Sequence, residues 1–154
     1  MTQSTFSQTL SQLETTLDEY FGKKAPQMPQ NIKEVLVKIA PYLVILGVLF
    51  AVPGILALLS MGTLFTAIAP FAGMSGAQLA GNIWLASILT IPVVILEAMA
   101  IPGLFNKTKI AWKYMYWAQL VSLVASIIQF NLVGFVIGGA IGLYILFQIK
   151  SEYK

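Results

Sequence analysis

One acidic side chain, Glu97, ends a long uncharged stretch of this sequence. No charged residue occurs from 39 to 96, and the next one after Glu97 is Lys107. A charged side chain at the centre of a lipid core costs about 2.5 to 3.5 kcal/mol on insertion scales, so acids there often mark a proton or cation path. Glu97 also lies only about 7 to 8 Å of helix rise before Pro102, from where it can reach the membrane surface and pair with Lys107 or Lys109. A proton or cation site, a surface ion pair and a hydrogen bond to another helix are therefore the three hypotheses for Glu97.

A group of polar side chains recurs at spacings of three and four between residues 119 and 129. On a helix this spacing places them near one face. Buried amides and hydroxyls in lipid need partners, so hydrogen bonding between helices is one explanation. The other is a small polar site in a solvated cavity, shared with Thr90 and Glu97. The group consists of Gln119, Ser122, Ser126 and Gln129.

The residue types on which most enzymes and metal sites depend are missing. The 154 residues include no histidine, no cysteine and no arginine. Imidazole bases, thiolate nucleophiles, disulfides and the commonest zinc ligands are thereby excluded. The sequence also has no nucleophile and base pair, no carboxylate pair and no glycine-rich phosphate loop. We therefore expect no catalytic activity, no metal and no cofactor.

The overall composition is that of an integral membrane protein. Hydrophobic residues make up 58% of the chain and charged residues 10%, whereas a soluble domain has roughly 25% charged residues. Nine lysines and six acids cannot supply the polar surface that a soluble domain of this size needs. The expected fold class is all-α, an integral membrane four-helix bundle with an N-terminal cytoplasmic amphipathic helix.

Four apolar segments are predicted to cross the bilayer. A crossing helix needs about 20 residues for a hydrocarbon core of about 30 Å. Residues 62–81 are also apolar, but prolines and glycines interrupt them, so we predict that they lie on the membrane surface or, as the alternative, re-enter the bilayer. Within a membrane domain of residues 31–154, the predicted spans lie near 35–61, 82–101, 112–130 and 132–148.

Residues 1–30 are predicted to form the cytoplasmic amphipathic helix and a proline-containing linker. Apolar side chains recur there at spacings of three and four in an otherwise polar stretch, which is typical of one helix face. The polar face is acidic, which disfavours binding of anionic lipid on that face. The membrane surface and a partner helix are therefore equally acceptable contacts for the apolar face. The apolar stripe consists of Phe6, Leu10, Leu13, Leu17 and Tyr20.

Three glycines in the fourth span, Gly134, Gly138 and Gly142, are spaced by four residues. Small residues at this spacing leave a groove in which another helix can approach closely. Packing within one copy of the chain, a homo-oligomeric interface and the lining of a pore are all consistent with this pattern.

The lysines fall into three clusters, before the first span, between the second and third spans, and after the fourth. With four spans, both termini and the middle linker share one side of the membrane, and every lysine lies on it. The positive-inside rule makes that side cytoplasmic, and we read the net charge of +3 as topology and lipid contact rather than nucleic-acid binding. The topology determinants are Lys23, Lys24, Lys33, Lys38, Lys107, Lys109, Lys113, Lys150 and Lys154.

Aromatic residues at the start of the third span, Trp112, Tyr114, Tyr116 and Trp117, predict an interfacial belt.

Two stretches, LDEYFGKKAPQMPQNIKEVLVKIAPY from Leu17 and LYILFQIKSEYK at the end, resemble a group of short bacterial four-helix membrane proteins. Some members of that group carry the label chromate transporter. The resemblance implies the bacterial cytoplasmic (inner) membrane and, through that label, anion transport. From the residues themselves we predict a structural or interaction subunit, with the lipid bilayer and a second copy or a membrane protein as partners. The alternative is a small oligomeric transporter or channel for an anion such as chromate, or one linked to protons.

Overall fold

The described part of the chain folds almost entirely into helices, and no strand occurs among residues 2–154. The structure is a computed structural model that describes the backbone of residues 2–154 and the side chains of residues 7–154. The predicted all-α class is thereby confirmed. The elements are α1 (Thr2–Leu17) with a π-helical continuation (Asp18–Lys24), α2 (Gln30–Phe105), α3 (Lys109–Ile128), a π-helical segment (Gly134–Gly138) leading into α4 (Gly139–Gln148), and a 3-10 turn (Lys150–Glu152).

Helix α2 is a hairpin of two antiparallel arms that meet at Gly73. This residue has φ 65° and ψ −155°, a region of backbone space that essentially only glycine enters. Beyond it the chain returns along itself. The Trp84 indole N–H donates to the Thr66 hydroxyl at 3.1 Å, and the rings of Tyr42 and Phe105 lie 5.5 Å apart. We call residues 30–72 the first arm and residues 74–105 the second arm.

The helix continues through residues 62–81, where the sequence had suggested irregular backbone, and only Gly73 departs from helical geometry. A helix satisfies the backbone groups of an apolar segment internally, and the hydroxyls of Thr63 and Thr66 donate to carbonyls of the same helix. The predicted first and second spans, residues 35–61 and 82–101, are therefore the parts of the two arms that lie farther from Gly73. Residues 62–81 form most of the tip that joins them.

The first arm packs through a narrow seam and leaves most of its surface without a partner. Buried and half-buried residues alternate at spacings of four and three, the pattern of two helices packed side by side. The opposite face is apolar and open, with Leu49 65% and Phe50 69% exposed. The seam consists of Val37, Pro41, Val44, Val48, Ala51, Ile55, Leu58 and Gly62.

Helix α3 returns along the second arm and ends well short of the hairpin tip. The last turns of α3, near Ser126 and Gln129, lie beside Leu89 and Thr90. The arms continue beyond this level for about 15 residues each, or roughly 20 Å. The hairpin therefore projects past the end of α3.

The opposite end, which we call the base, collects the turn between α2 and α3, the chain's last residues and the N-terminal segment. The Lys109 N–H donates to the Lys154 carbonyl at 3.0 Å, and the Lys154 N–H donates to the Lys107 carbonyl at 2.9 Å. The main hydrophobic core lies directly above these contacts, with Leu104, Trp112 and Phe147 among its members.

Two helical stretches are long and apolar enough to cross a membrane, namely Gln30–Phe105 and Gly134–Glu152. Among the N-terminal residues, Leu17 and Phe21 pack against the main core, while Leu13 is 39% exposed. The side chain of Phe6, the first residue of the predicted stripe, lies outside the described residues.

Candidate functional site

Glu97 lies half-buried on the second arm without a salt bridge. One turn further along the arm, Ala100 is fully buried in the main core. The ion pairs found among residues 7–154 are formed by Lys24 and Lys150, so the pair of Glu97 with Lys107 or Lys109 is not formed. The carboxylate is held on a largely apolar helix, with no cation beside it among the described side chains.

Ser122 and Ser126 lie together in a cavity of about 200 Å³ between α3 and the second arm, where Thr90 and Gln129 also line the wall. The Ser126 hydroxyl donates to the Ser122 carbonyl at 2.9 Å. Similarly, the Thr90 hydroxyl donates to the Ala86 carbonyl at 2.7 Å. These hydroxyls donate their protons to their own helices, so they can offer a ligand only their acceptor lone pairs.

Gln119 lies in a different part of the molecule. Its side-chain amide donates to the Gly138 carbonyl at 3.2 Å and packs against Gly142. This is an interhelical hydrogen bond of the kind that the sequence suggested. The polar residues that the sequence grouped are therefore divided. One cavity brings together Thr90, Ser122, Ser126 and Gln129. Gln119 instead joins α3 to the fourth helix, and Glu97 lies in neither place.

Of the three glycines predicted to share one packing face, only Gly142 turns its side-chain position toward α3, whereas Gly138 contacts α3 through its carbonyl. A Cβ on Gly142 would lie 2.7 Å from the Gln119 side-chain amide, and one on Gly139 would lie 2.5 Å from Leu123 Cδ2. A Cβ on Gly138 would meet nothing within 4 Å. The π-helical segment Gly134–Gly138 changes the register, because an i→i+5 turn contains an extra residue. The packing face therefore passes through Gly139 instead of Gly138.

The aromatic group at the start of α3 consists of two buried residues and two half-buried ones, Tyr114 and Trp117, that pack against the main core. Trp112 and Tyr116 are each 2% exposed, and their rings stack with centroids 5.5 Å apart. The Trp112 indole N–H donates to the Leu146 carbonyl at 2.8 Å. These two residues thus belong to the protein core, although the sequence had placed them in an interfacial belt.

Lys150 lies at the centre of a cluster that the sequence analysis missed. Its ammonium group is 3.0 Å from Glu14 Oε1 and 3.6 Å from Asp18 Oδ1. It also lies 4.7 Å from the centre of the Trp112 ring and 5.3 Å from that of Phe147, within the range of cation–π attraction. Glu14 and Lys150 are 136 residues apart in the sequence, so no local spacing could have revealed the contact.

Gln148 holds the N-terminal segment at the base through hydrogen bonds to residues before and after Pro26. Its side-chain N–H donates to the Phe21 carbonyl at 2.9 Å, and its side-chain oxygen accepts from the Met28 N–H at 3.0 Å. The Tyr144 hydroxyl donates to the Pro26 carbonyl at 2.7 Å. Because Gln148 is only 2% exposed, water cannot easily replace these bonds.

An apolar groove of about 250 Å³ runs between the first arm, α3 and the fourth helix. Tyr153 is part of its wall near the base. The Tyr153 hydroxyl is enclosed and has no hydrogen-bond partner among the described residues, and burial raises its pKa to about 12. The phenol therefore remains neutral at physiological pH. The other walls include Ala40, Leu43, Trp112, Met115, Gly142 and Ile145.

The described residues contain no cluster of three or more acidic, histidine or cysteine side chains that could hold a metal ion. No protein-family model, curated protein or solved structure matches this chain.

Proposed function

We propose that this chain is a multipass protein of the bacterial cytoplasmic membrane and acts as a structural or interaction subunit, with both termini in the cytoplasm. The observation that carries the proposal is the position of the lysines. Lys107, Lys109 and Lys154 lie at the base through backbone hydrogen bonds. The other six belong to the N-terminal segment, the start of the first arm, the first turns of α3 and the C-terminal end. A positive end opposite an uncharged hairpin fits the positive-inside rule.

The surface of the hairpin supports a bilayer environment. Large apolar side chains are exposed along both arms, including Leu56 at 60% and Ile88 at 59%. Each arm is longer than the roughly 20 residues that a crossing requires. In this proposal the two arms, α3 and the fourth helix make four crossings.

The distribution of polar groups favours an interaction role over transport. Glu97 and Gln119 lie outside the cavity that Ser122 and Ser126 line, and the hydroxyls of Ser126 and Thr90 donate to their own helices. Meanwhile the outer face of the first arm is open, since a Cβ on Gly47 or Gly54 would meet nothing within 4 Å. Small residues on an exposed helix face in lipid favour contact with another helix. A second copy or another membrane protein is the partner that this face fits.

The orientation can be tested with single cysteines, because the natural chain has none. We expect Ser75→Cys, at the hairpin tip, to react with a membrane-impermeant maleimide in intact spheroplasts. Ser11→Cys and Ser151→Cys, near the base, should react only after permeabilisation. Labelling of all three positions in intact spheroplasts, or of the base alone, would contradict the proposed orientation.

The interaction role can be separated from transport in reconstituted liposomes. We expect cross-linking and native mass spectrometry to detect a second copy or a retained partner, and chromate and proton flux to match that of empty liposomes. Glu97→Gln should change neither result. Flux above the empty-liposome level that is lost in Glu97→Gln would establish the transporter alternative instead.

A further inference from the structure

We propose that the apolar groove between the first arm, α3 and the fourth helix holds one acyl chain of a membrane phospholipid. The inference rests on the proposed membrane placement and adds a specific ligand site to it. The groove, of about 250 Å³, lies against the main core, so an occupant would contact residues that are otherwise buried.

The walls of the groove select hydrocarbon. Leu43, Met115 and Ile145 typify the lining, and two polar side chains adjoin it. The Gln119 amide is engaged with the Gly138 carbonyl, and the Tyr153 hydroxyl is enclosed. The rest of the wall is hydrocarbon, so most polar groups of a ligand would lose their hydration here without gaining a partner, at a cost of some kcal/mol per group. An alkyl chain has no such cost.

The groove opens onto the surface that would face lipid. Leu43 forms its rim and is 56% exposed, and the same face of the first arm continues through Leu46 and Phe50, which are 48% and 69% exposed. An acyl chain from the surrounding bilayer can therefore enter sideways, without crossing a polar barrier. Gly142 contributes to the width, because any side chain there would extend toward α3.

The base supplies a place for the head group of the same lipid. Leu104 lines both the groove and a second cavity of about 520 Å³, in which Lys38 and Lys107 lie with Glu34 and Glu152. The lysine-bearing end of the molecule is the end where the polar part of a phospholipid would lie in the proposed orientation. The acyl chain then points from the base toward Gln119.

Trp112 provides a direct probe, because it lines the groove and is only 2% exposed. A variant with Trp84→Phe and Trp117→Phe retains Trp112 as its single tryptophan. In liposomes of phosphatidylglycerol with brominated acyl chains, we expect strong quenching of Trp112 fluorescence relative to unbrominated liposomes. Adding Gly142→Leu or Ala40→Phe should fill the groove and remove most of that quenching.

Gly138→Leu is the matched control for Gly142→Leu, because a Cβ at Gly138 would meet nothing within 4 Å. It should leave the quenching unchanged. If Gly142→Leu does not fold, as judged by circular dichroism, Ala40→Phe provides the same test from the first arm. Failure of the chain to float with liposomes would contradict the membrane placement. Insertion without quenching of Trp112, or equal quenching in filled and control variants, would overturn the lipid site alone.

Discussion

Replacing Gly73 by alanine should lower the thermal unfolding midpoint of the purified protein. The decrease should exceed that of any other glycine-to-alanine change in the two arms at a position where a Cβ causes no steric clash. Gly73 has φ 65°, and a side chain there would meet nothing within 4 Å. The penalty is therefore one of backbone conformation, about 1 to 3 kcal/mol. Circular dichroism in detergent would follow the loss of helix, and Trp84 fluorescence would follow the separation of the arms.

Gly81→Ala is the control for this prediction. Gly81 lies within helical backbone on the second arm, and a Cβ there would also meet nothing within 4 Å. Alanine in a helix interior is favoured over glycine by roughly 0.5 to 1 kcal/mol, so this variant should be at least as stable as the natural chain. Equal midpoints for Gly73→Ala and Gly81→Ala would contradict a hairpin that depends on the conformation of Gly73.

Replacing Gln148 by leucine should release the N-terminal segment from the base. The change removes the acceptor of the Met28 N–H and the donor to the Phe21 carbonyl. A buried polar group left unpaired costs about 1 to 3 kcal/mol, and detachment of the segment relieves that cost by exposing both groups to water. Trypsin should then cleave after Lys23 and Lys24 much faster than in the natural chain, which time-resolved mass spectrometry of the fragments would measure.

Gln129→Leu makes the same chemical change at the far end of α3, where Gln129 is exposed. It should leave the rate of cleavage at Lys23 and Lys24 unaltered. The proposed attachment would be refuted if Gln148→Leu and Gln129→Leu gave the same cleavage rate, provided that both variants retain their helix content.

Helix content and charge distribution were predictable because both depend on residues that are close together in the sequence. Long apolar stretches satisfy their backbone groups as helices whatever surrounds them. The grouping of Lys107, Lys109 and Lys154 in one place follows from the chain leaving the base along α3 and returning to it along the next helix. The all-α class and the collection of lysines at one end therefore needed no knowledge of side-chain contacts.

The details that the sequence did not reveal depend on distant contacts or on single backbone angles. Gly73, Gly76 and Gly81 cannot be distinguished by residue type, yet of these three only Gly73 takes a positive φ. The π-helical segment moved the packing face from Gly138 to Gly139, and no spacing rule anticipates an inserted residue. In the same way, Gln119 and Ser122 have helical spacing but contact different helices, because α3 is packed on more than one side.

The projection of the hairpin past α3 implies a hydrophobic mismatch within a single protein. In the proposed orientation, α3, with 20 residues, matches a hydrocarbon core of about 30 Å, whereas the arms would extend roughly 20 Å further. The two parts of the chain thus favour membranes of different thickness, and tilting can reconcile them only in part. The tip, with Phe71 91% and Met74 80% exposed, would then be the first surface that a molecule approaching from the far side of the membrane encounters.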